Sequence, residues 1–166
     1  MWRTFPALSE HFLSSNDKTK DSKSKCKYLG LYKKLCSPEF LIDLSLMCDV
    51  LLELSTLSLR LQDQKITLLE ADHDIKRTIR VIESFKNNSG THMKEAENAK
   101  NEMVFKNRKL ITNSKIVPIN RKQFITSICN NLNGRLLENM DDLHLIQDIS
   151  VIDKKYLANK CKYKIW

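Results

Sequence analysis

The sequence contains few glycines and prolines, three of each in 166 residues. Domains rich in β-strands need many tight turns, and tight turns rely on these two residues, so their scarcity favours long helices. It also argues against the glycine-rich loops that hold phosphate groups in nucleotide-binding proteins. We therefore predict an all-α fold, an elongated helical bundle with long antiparallel helices.

Metal-binding and catalytic patterns are also missing. The five cysteines include no C-x-x-C pair, and the four histidines include no H-E-x-x-H segment and no pair at zinc-finger spacing. Cys48 and Cys129 fall on apolar stripes and are predicted to be small core residues. We predict no catalytic residue, no metal site, no cofactor and no small-molecule substrate.

The carboxylate clusters are two short pairs, Asp72 with Asp74 and Asp141 with Asp142. Residues two apart on a helix point about 200° away from each other, so Asp72 and Asp74 cannot hold one ion without a third ligand. We interpret both pairs as acids that stabilise the first turn of a helix.

The net charge of +8 is unevenly distributed along the chain. Residues 1–36 carry 8 Lys and Arg against 3 acids, residues 37–90 carry 6 against 9, and residues 91–166 carry 14 against 8. Basic ends around an acidic middle suggest electrostatic contact with nucleic acid. The alternative interpretation is a solvated, lysine-rich surface.

The longest apolar stretch runs from Phe40 to Gln64 and is apolar around most of its circumference. Such a helix is buried either in a bundle or in a membrane. Its three acids, Asp43, Asp49 and Glu53, would each cost roughly 2.5–3.5 kcal/mol at the centre of a bilayer, which rejects the membrane alternative. We predict a central helix whose apolar seam consists of Leu44, Met47, Leu51, Leu54 and Leu61.

The predicted organisation is a helical domain over residues 1–152 followed by a basic tail over residues 153–166. Within the domain we expect short helices in residues 1–36, a long helical hairpin in residues 37–88 and C-terminal helices in residues 119–152. Periodic apolar residues predict the inward faces: Trp2, Phe5, Leu8 and Phe12; Tyr28, Leu31 and Leu35; Leu51 and Leu54 facing Ile75, Ile79 and Ile82; Phe124, Ile128, Leu132 and Leu136.

Helix boundaries follow from capping residues. Ser37 and Pro38 suit the start of the central helix, and Asn120 suits the start of a later one. We expect an exposed loop over the Lys- and Ser-rich residues 14–25, almost no core face in residues 87–103, and an extended crossing segment in residues 109–119.

Ten lysines in two runs are the candidate nucleic-acid contacts. Ten lysines with no arginine favour contact with phosphates over base readout, so the predicted partner is DNA bound without sequence preference. Tyr28, Tyr156, Tyr163 and Trp166 lie among or beside the lysines, where they could stack on bases. The candidate lysines are Lys18, Lys20, Lys23, Lys25, Lys27, Lys154, Lys155, Lys160, Lys162 and Lys164.

Three blocks, "FPALSEHF", "YLGLYKKLCSPEFLIDLSLMCDVLLELSTLSLRLQDQKITLLEADHDIKRTIRVIESFK" and "INRKQFITSICNNLNGRL", occur in this order over about 130 of the 166 residues. In wording and order they resemble hAT-superfamily transposase-derived proteins, in the domesticated branch described as SUMO-protein ligase-like or zinc-finger-like. In that family a large helical insertion interrupts a ribonuclease H-like catalytic domain, and these blocks resemble the insertion.

The resemblance implies a non-catalytic helical fragment or short paralogue that binds protein or DNA in the nucleus. The family's Arg-Trp block, its three catalytic acids, its BED-type zinc finger and its dimerisation segment have no match, so no catalytic residue is carried over. One alternative is inherited SUMO-ligase-like activity with SUMO-pathway proteins as partners, for which "DLHLIQDISVID" (Asp142–Asp153) is the candidate segment. Another is an inactive, truncated product.

Overall fold

The structure, a computed structural model, describes residues 2–113 and 115–137. These residues form the helices α1 (Phe5–Lys18), α2 (Ser22–Leu35), α3 (Pro38–Leu61), α4 (Leu68–Ser84), α5 (Thr91–Glu102) and α6 (Arg121–Leu136), and the strands β1 (Val104–Phe105) and β2 (Arg108–Lys109). The predicted all-α fold class is confirmed, whereas the elongated bundle stays a prediction. Within the described ranges, no helix has both the length and the apolar character needed to cross a membrane.

The chain divides into two compact units. Unit 1 contains the residues up to Leu52 together with Phe85–Phe124, and unit 2 contains Glu53–Ser84 together with the described residues from Ile125 onward. The single helical domain over residues 1–152 stays a prediction. The short helix expected near residue 143 and the basic tail lie outside the described residues.

The predicted apolar face of the first helix is confirmed. Phe5 is fully buried in the unit 1 core, and Trp2, Leu8 and Phe12 pack against that core. The core also receives the end of α2, the start of α3, α5 and the residues around the β-hairpin. Its buried side chains are Phe5, Leu35, Cys36, Leu41, Ala96, Ala99, Phe105 and Leu110.

The stretch predicted as an exposed lysine-rich loop is mostly helical. α1 continues to Lys18 and α2 begins at Ser22, so only Thr19 to Asp21 connect the two helices. The prediction was wrong because Asp21 caps α2: its carboxylate accepts the backbone N–H groups of Lys23 at 3.4 Å and Ser24 at 3.0 Å. A single capping residue thus starts a helix within a composition that is typical of loops.

The inward face of α2 also differs from its prediction at one position. Leu35 is buried as expected, but Leu31 is exposed. Tyr32 packs against the unit 1 core instead. The core contact is therefore made by the neighbouring residue on the helix.

The predicted start of α3 is confirmed. The helix begins at Pro38, and the Ser37 hydroxyl accepts the backbone N–H of Phe40 at 3.2 Å. This is the bond that a serine N-cap makes to the free donors of a first turn. The capping signal in the sequence was therefore sufficient to place this boundary.

The predicted seam of α3 was wrong in its central member. Leu51 is 61% exposed, and Met47 lies at the surface as well. The helix is not buried nearly all round either, because Leu52 and Leu59 are also exposed. Its buried residues are Pro38, Leu41, Ser45, Leu46, Asp49, Val50 and Leu57.

The polar residues on the buried face of α3 hold the start of α5. The Asp49 carboxylate accepts the backbone N–H of His92 and that of Met93, both at 3.0 Å, and lies 2.8 Å from Nδ1 of His92. It serves as the N-cap of α5, whose own N-cap position is Gly90, a residue without a side chain. A Cβ at Gly90 would lie 2.3 Å from Oδ2 of Asp49, so the position requires glycine.

Helix α5 has a core face that the sequence analysis did not predict. Met93, Ala96 and Ala99 are buried along one side of the helix. Small alanine side chains give a weak apolar signal, yet they allow close approach to the core. The expectation that residues 87–103 lack a core face was wrong for this reason.

A short β-hairpin follows α5 and was not predicted. β1 pairs antiparallel with β2, in a register that places Phe105 opposite Arg108. The turn residues Lys106 and Asn107 have φ values of 46° and 63°, and positive φ at both positions is the geometry of a two-residue hairpin turn. The ring of Phe105 lies 4.9 Å from that of Phe5, which anchors the hairpin in the unit 1 core.

Unit 2 buries the predicted stripe of α4. Ile75, Ile79 and Ile82 are buried, which confirms that part of the core prediction. The inward face of α6 is displaced from its prediction by one position, because Ile125 and Cys129 are its buried residues. The predicted stripe residues Phe124, Ile128, Leu132 and Leu136 are partly buried or exposed.

Candidate nucleic-acid interface

The lysines of the first basic run are positioned mainly by α2. The Asp21 cap fixes where the helix starts and therefore the direction in which each side chain points. Hydrogen bonds from Ser24, including one from its hydroxyl at 2.7 Å, lower the pKa of the Asp21 carboxyl, and the N–H of Lys23 adds to the effect. The cap is thus charged at neutral pH, as a helix N-terminus favours.

One face of α2 brings three lysines together. Lys23, Lys27 and Lys34 are four and seven residues apart, which places their side chains within about 40° of each other around the helix. All three are exposed, and α2 contains no acidic residue. At 1.5 Å per residue the row is about 16 Å long. We call these three residues the α2 lysine row.

The other predicted lysines of this run do not join the row. Lys18 ends α1, and Lys20 lies in the connection before α2. Lys25 points about 160–200° away from the row because it lies two residues from both Lys23 and Lys27. The predicted contacts in the tail, Lys154, Lys155, Lys160, Lys162 and Lys164, lie outside the described residues.

Lys34 is a member of the row that was not among the predicted contacts. The signal that identifies it is its helical spacing from Lys23 and Lys27, which becomes visible only once the helix is known to start at Ser22. Tyr28, proposed as a base-stacking residue, is partly buried and lies off the row. Tyr156, Tyr163 and Trp166 lie outside the described residues.

Asp72 and Asp74 take part in surface ion pairs, and the acid in the first turn of α4 is Glu70 rather than either of them. Asp74 accepts a hydrogen bond from Nε of Arg60 at 3.0 Å, and this bond lowers the pKa of the Asp74 carboxyl. Asp72 pairs with Lys76 at 2.9 Å across one helical turn. Among the residues that the structure describes, no three His, Cys, Asp or Glu side chains converge as a metal site would need.

The remaining sequence candidates lie outside the described residues. These are the acidic pair Asp141 and Asp142 and the segment Asp142–Asp153 considered for SUMO binding. Among the predicted contacts that the structure describes, α2 aligns Lys23 and Lys27 with Lys34 in the α2 lysine row.

Comparison with known proteins finds no match to this chain among protein-family models, curated proteins or solved structures.

Proposed function

We propose that this chain is a non-catalytic binding module that contacts nucleic acid through the α2 lysine row. The observation that carries the proposal is the alignment of Lys23, Lys27 and Lys34 on one exposed helix face with no acid on that helix. Ion pairs within the described residues involve none of the three, so their charge is available to a partner.

The chemistry of the row favours phosphates as its ligand. A lysine ammonium is a compact point charge that contacts a phosphate without reading the base beside it. DNA carries one phosphate per nucleotide on each strand, so three lysines spread over about 16 Å can reach more than one phosphate. Binding through such contacts is nearly independent of sequence.

The resemblance to the helical insertion of hAT transposase-derived proteins supports the same proposal. On this basis we propose a nuclear location and an origin from such a protein, with DNA or a nuclear protein as partner. A reading frame next to the gene that encodes a ribonuclease H-like strand with a catalytic acid would support this origin. Flanking sequence without any such frame would count against it.

The test is a titration of a labelled random duplex at several salt concentrations. The variant replaces Lys23, Lys27 and Lys34 with glutamine. We expect the dependence of log K on log salt to flatten by about 0.9 for each phosphate that the variant no longer neutralises. Circular dichroism should show an unchanged fold, because the three side chains are exposed.

The matched control replaces Lys65, Lys94 and Lys122 with glutamine. These three lysines are also exposed. Because both variants lose three lysines, the control carries the same net charge as the row variant. Its salt dependence should equal that of the wild-type chain. Equal weakening of binding in both triple variants would show that binding follows overall charge, and failure of the wild-type chain to bind at roughly 50 mM salt would remove the DNA proposal.

A further inference from the structure

A large open groove lies in unit 1 between α2, α3 and the segment that follows β2. Its volume is about 1120 Å³. The α3 wall contributes Phe40, Leu44 and Met47, and the wall opposite contributes apolar residues that include Ile116 and Val117. The groove therefore has apolar side chains on two walls.

The α3 wall is a stripe of the kind that packs against another helix. Phe40, Leu44, Met47 and Leu51 are separated by four, three and four residues, so they lie along one face of α3 over about three turns. Met47 is 37% exposed in the groove, and Leu51 continues the stripe beyond it. Across the groove, Val117 is 86% exposed. Apolar side chains on two walls of an open groove are the kind of surface on which the apolar face of a partner helix packs.

The charged residues of the groove are mainly basic. Lys33 and Lys34 belong to the α2 wall, and Lys115 belongs to the segment that follows β2. The groove contains one carboxylate, that of Asp43, and both of its oxygens accept the backbone N–H of Ile119, at 3.1 and 3.2 Å. Burial raises the pKa of the Asp43 carboxyl. Two of the three walls of the groove thus carry lysines.

We propose that this groove binds an acidic amphipathic helix of a partner protein. Its apolar residues, three and four apart, would pack on Phe40, Leu44 and Met47, and its flanking carboxylates would lie beside Lys33, Lys34 and Lys115. A helix fits because the α3 stripe has helical spacing, so the side chains of both helices interdigitate. The proposal is independent of nucleic-acid binding, although Lys34 belongs to both surfaces.

The same charges argue against a second copy of this chain as the occupant. Two copies related by a two-fold axis along α3 would bring like lysines towards each other, and juxtaposed like charges disfavour association. A partner with the opposite charge gains from the same arrangement. The occupant is therefore expected to be a different, acidic protein segment.

The experiment measures binding of two designed peptides by fluorescence anisotropy. One labelled peptide of about five helical turns carries leucines at three- and four-residue spacing and glutamates beside them. The other is identical except that lysines replace the glutamates. We expect the wild-type chain to bind the glutamate peptide at least roughly tenfold more tightly than the lysine peptide.

Three protein variants locate the site. Met47→Glu places a carboxylate in the groove and should weaken the glutamate peptide roughly tenfold or more. Leu59→Glu is the matched control, because Leu59 is exposed on the same helix outside the groove. The Leu59→Glu variant should bind the glutamate peptide as tightly as the wild-type chain does. Replacing Lys33, Lys34 and Lys115 with glutamine should remove the preference between the two peptides. This variant decides the question if Met47→Glu does not fold.

Several results would overturn the proposal. One is equal binding of the two peptides, and another is equal weakening by Met47→Glu and Leu59→Glu. Absence of binding at roughly 100 µM peptide would also do so. A dimer in sedimentation that Met47→Glu dissociates would instead assign the groove to a second copy.

Discussion

Helix α5 and the Leu44–Leu51 part of α3 belong to the same unit but differ in how they use their side chains. α5 buries two alanines and a methionine, and the carboxylate of Asp49 completes its first turn. The α3 stretch carries large apolar side chains, yet Met47 and Leu51 remain at the surface. Burial in this unit therefore depends on which helix face has a packing partner and not on how apolar that face is.

Polar bonds explain which face of α3 turns inward. Asp49 needs the N–H groups of α5, and the Ser45 hydroxyl donates to the carbonyl oxygen of Ile42 at 2.7 Å and lies 3.4 Å from Sδ of Met93. Burying a carboxylate without hydrogen-bond partners would cost far more free energy than leaving a leucine side chain exposed to water. The docking of α5 therefore places Asp49 inside and leaves Leu51 outside.

We expect the greatest loss of stability from a substitution on the buried face of α3 and a much smaller loss from the same substitution on its exposed face. Leu41 is fully buried, so Leu41→Ala should lower the free energy of unfolding by about 2–5 kcal/mol. Leu51→Ala makes the same chemical change on the same helix at an exposed position and should cost less than about 1 kcal/mol. Urea denaturation of both variants measures the difference. Similar costs for the two would contradict the assignment of faces.

The second effect tests the Asp49 cap of α5. Asp49→Ala leaves the backbone N–H groups of His92 and Met93 without an acceptor and should lower the free energy of unfolding by roughly 2–4 kcal/mol. Asp49→Asn keeps the size of the side chain and one acceptor oxygen, so its cost should be smaller. Thermal or urea unfolding measures both. Equal stability of Asp49→Ala and wild type would show that the cap contributes nothing.

A double-mutant cycle with Gly90 serves as the control for this prediction. Gly90→Ala should cost about 1–3 kcal/mol in the wild-type chain, because the new Cβ collides with the Asp49 carboxylate. In the Asp49→Ala background the obstacle is absent, so the same change should cost less. Costs that add without interaction would mean that the close approach of Gly90 and Asp49 has no energetic weight.

The smallest effect concerns pH and distinguishes two carboxylates. Burial raises the pKa of Asp43 in the folded state above its ordinary value of about 3.8. At a pH between the ordinary pKa and the raised pKa, the folded state therefore binds more protons than the unfolded state. The stability that wild type has relative to Asp43→Asn should therefore fall as the pH rises through this window. Asn can still accept the N–H of Ile119.

Asp74 provides a control, because its pKa is shifted in the opposite direction from that of Asp43. The hydrogen bond from Arg60 lowers its pKa, so the stability of wild type relative to Asp74→Asn should be present above the ordinary pKa and be lost as the pH falls through the lowered value. Unfolding curves at several pH values between about 3 and 6 test both variants. If the stability of wild type relative to Asp43→Asn and relative to Asp74→Asn changed with pH in the same direction, one of the two pKa shifts would be wrong.

Local signals in the sequence were sufficient where the partner lies within a few residues. The caps at Ser37 and Asn120 were predicted and are confirmed, since the Asn120 side chain accepts the N–H of Gln123 at 3.1 Å. The Asp21 cap carries the same type of signal, but the surrounding lysines and serines concealed it. The candidate interface was predicted as a lysine-rich loop, and its arrangement as a row depends on the helix that Asp21 starts.

The all-α class, the start of α3, the apolar face of the first helix and the buried stripe of α4 could all be predicted from the sequence. These features follow from the composition of the whole chain, from capping residues and from periodicity, none of which depends on a partner distant in sequence. Tertiary structure alone decided that Asp49 is buried, that Leu51 is exposed and that α5 has a core face. The reason is that the partners of Asp49 are 43 and 44 residues away along the chain, and hydrogen bonds at such separation leave no periodic signal beside either residue.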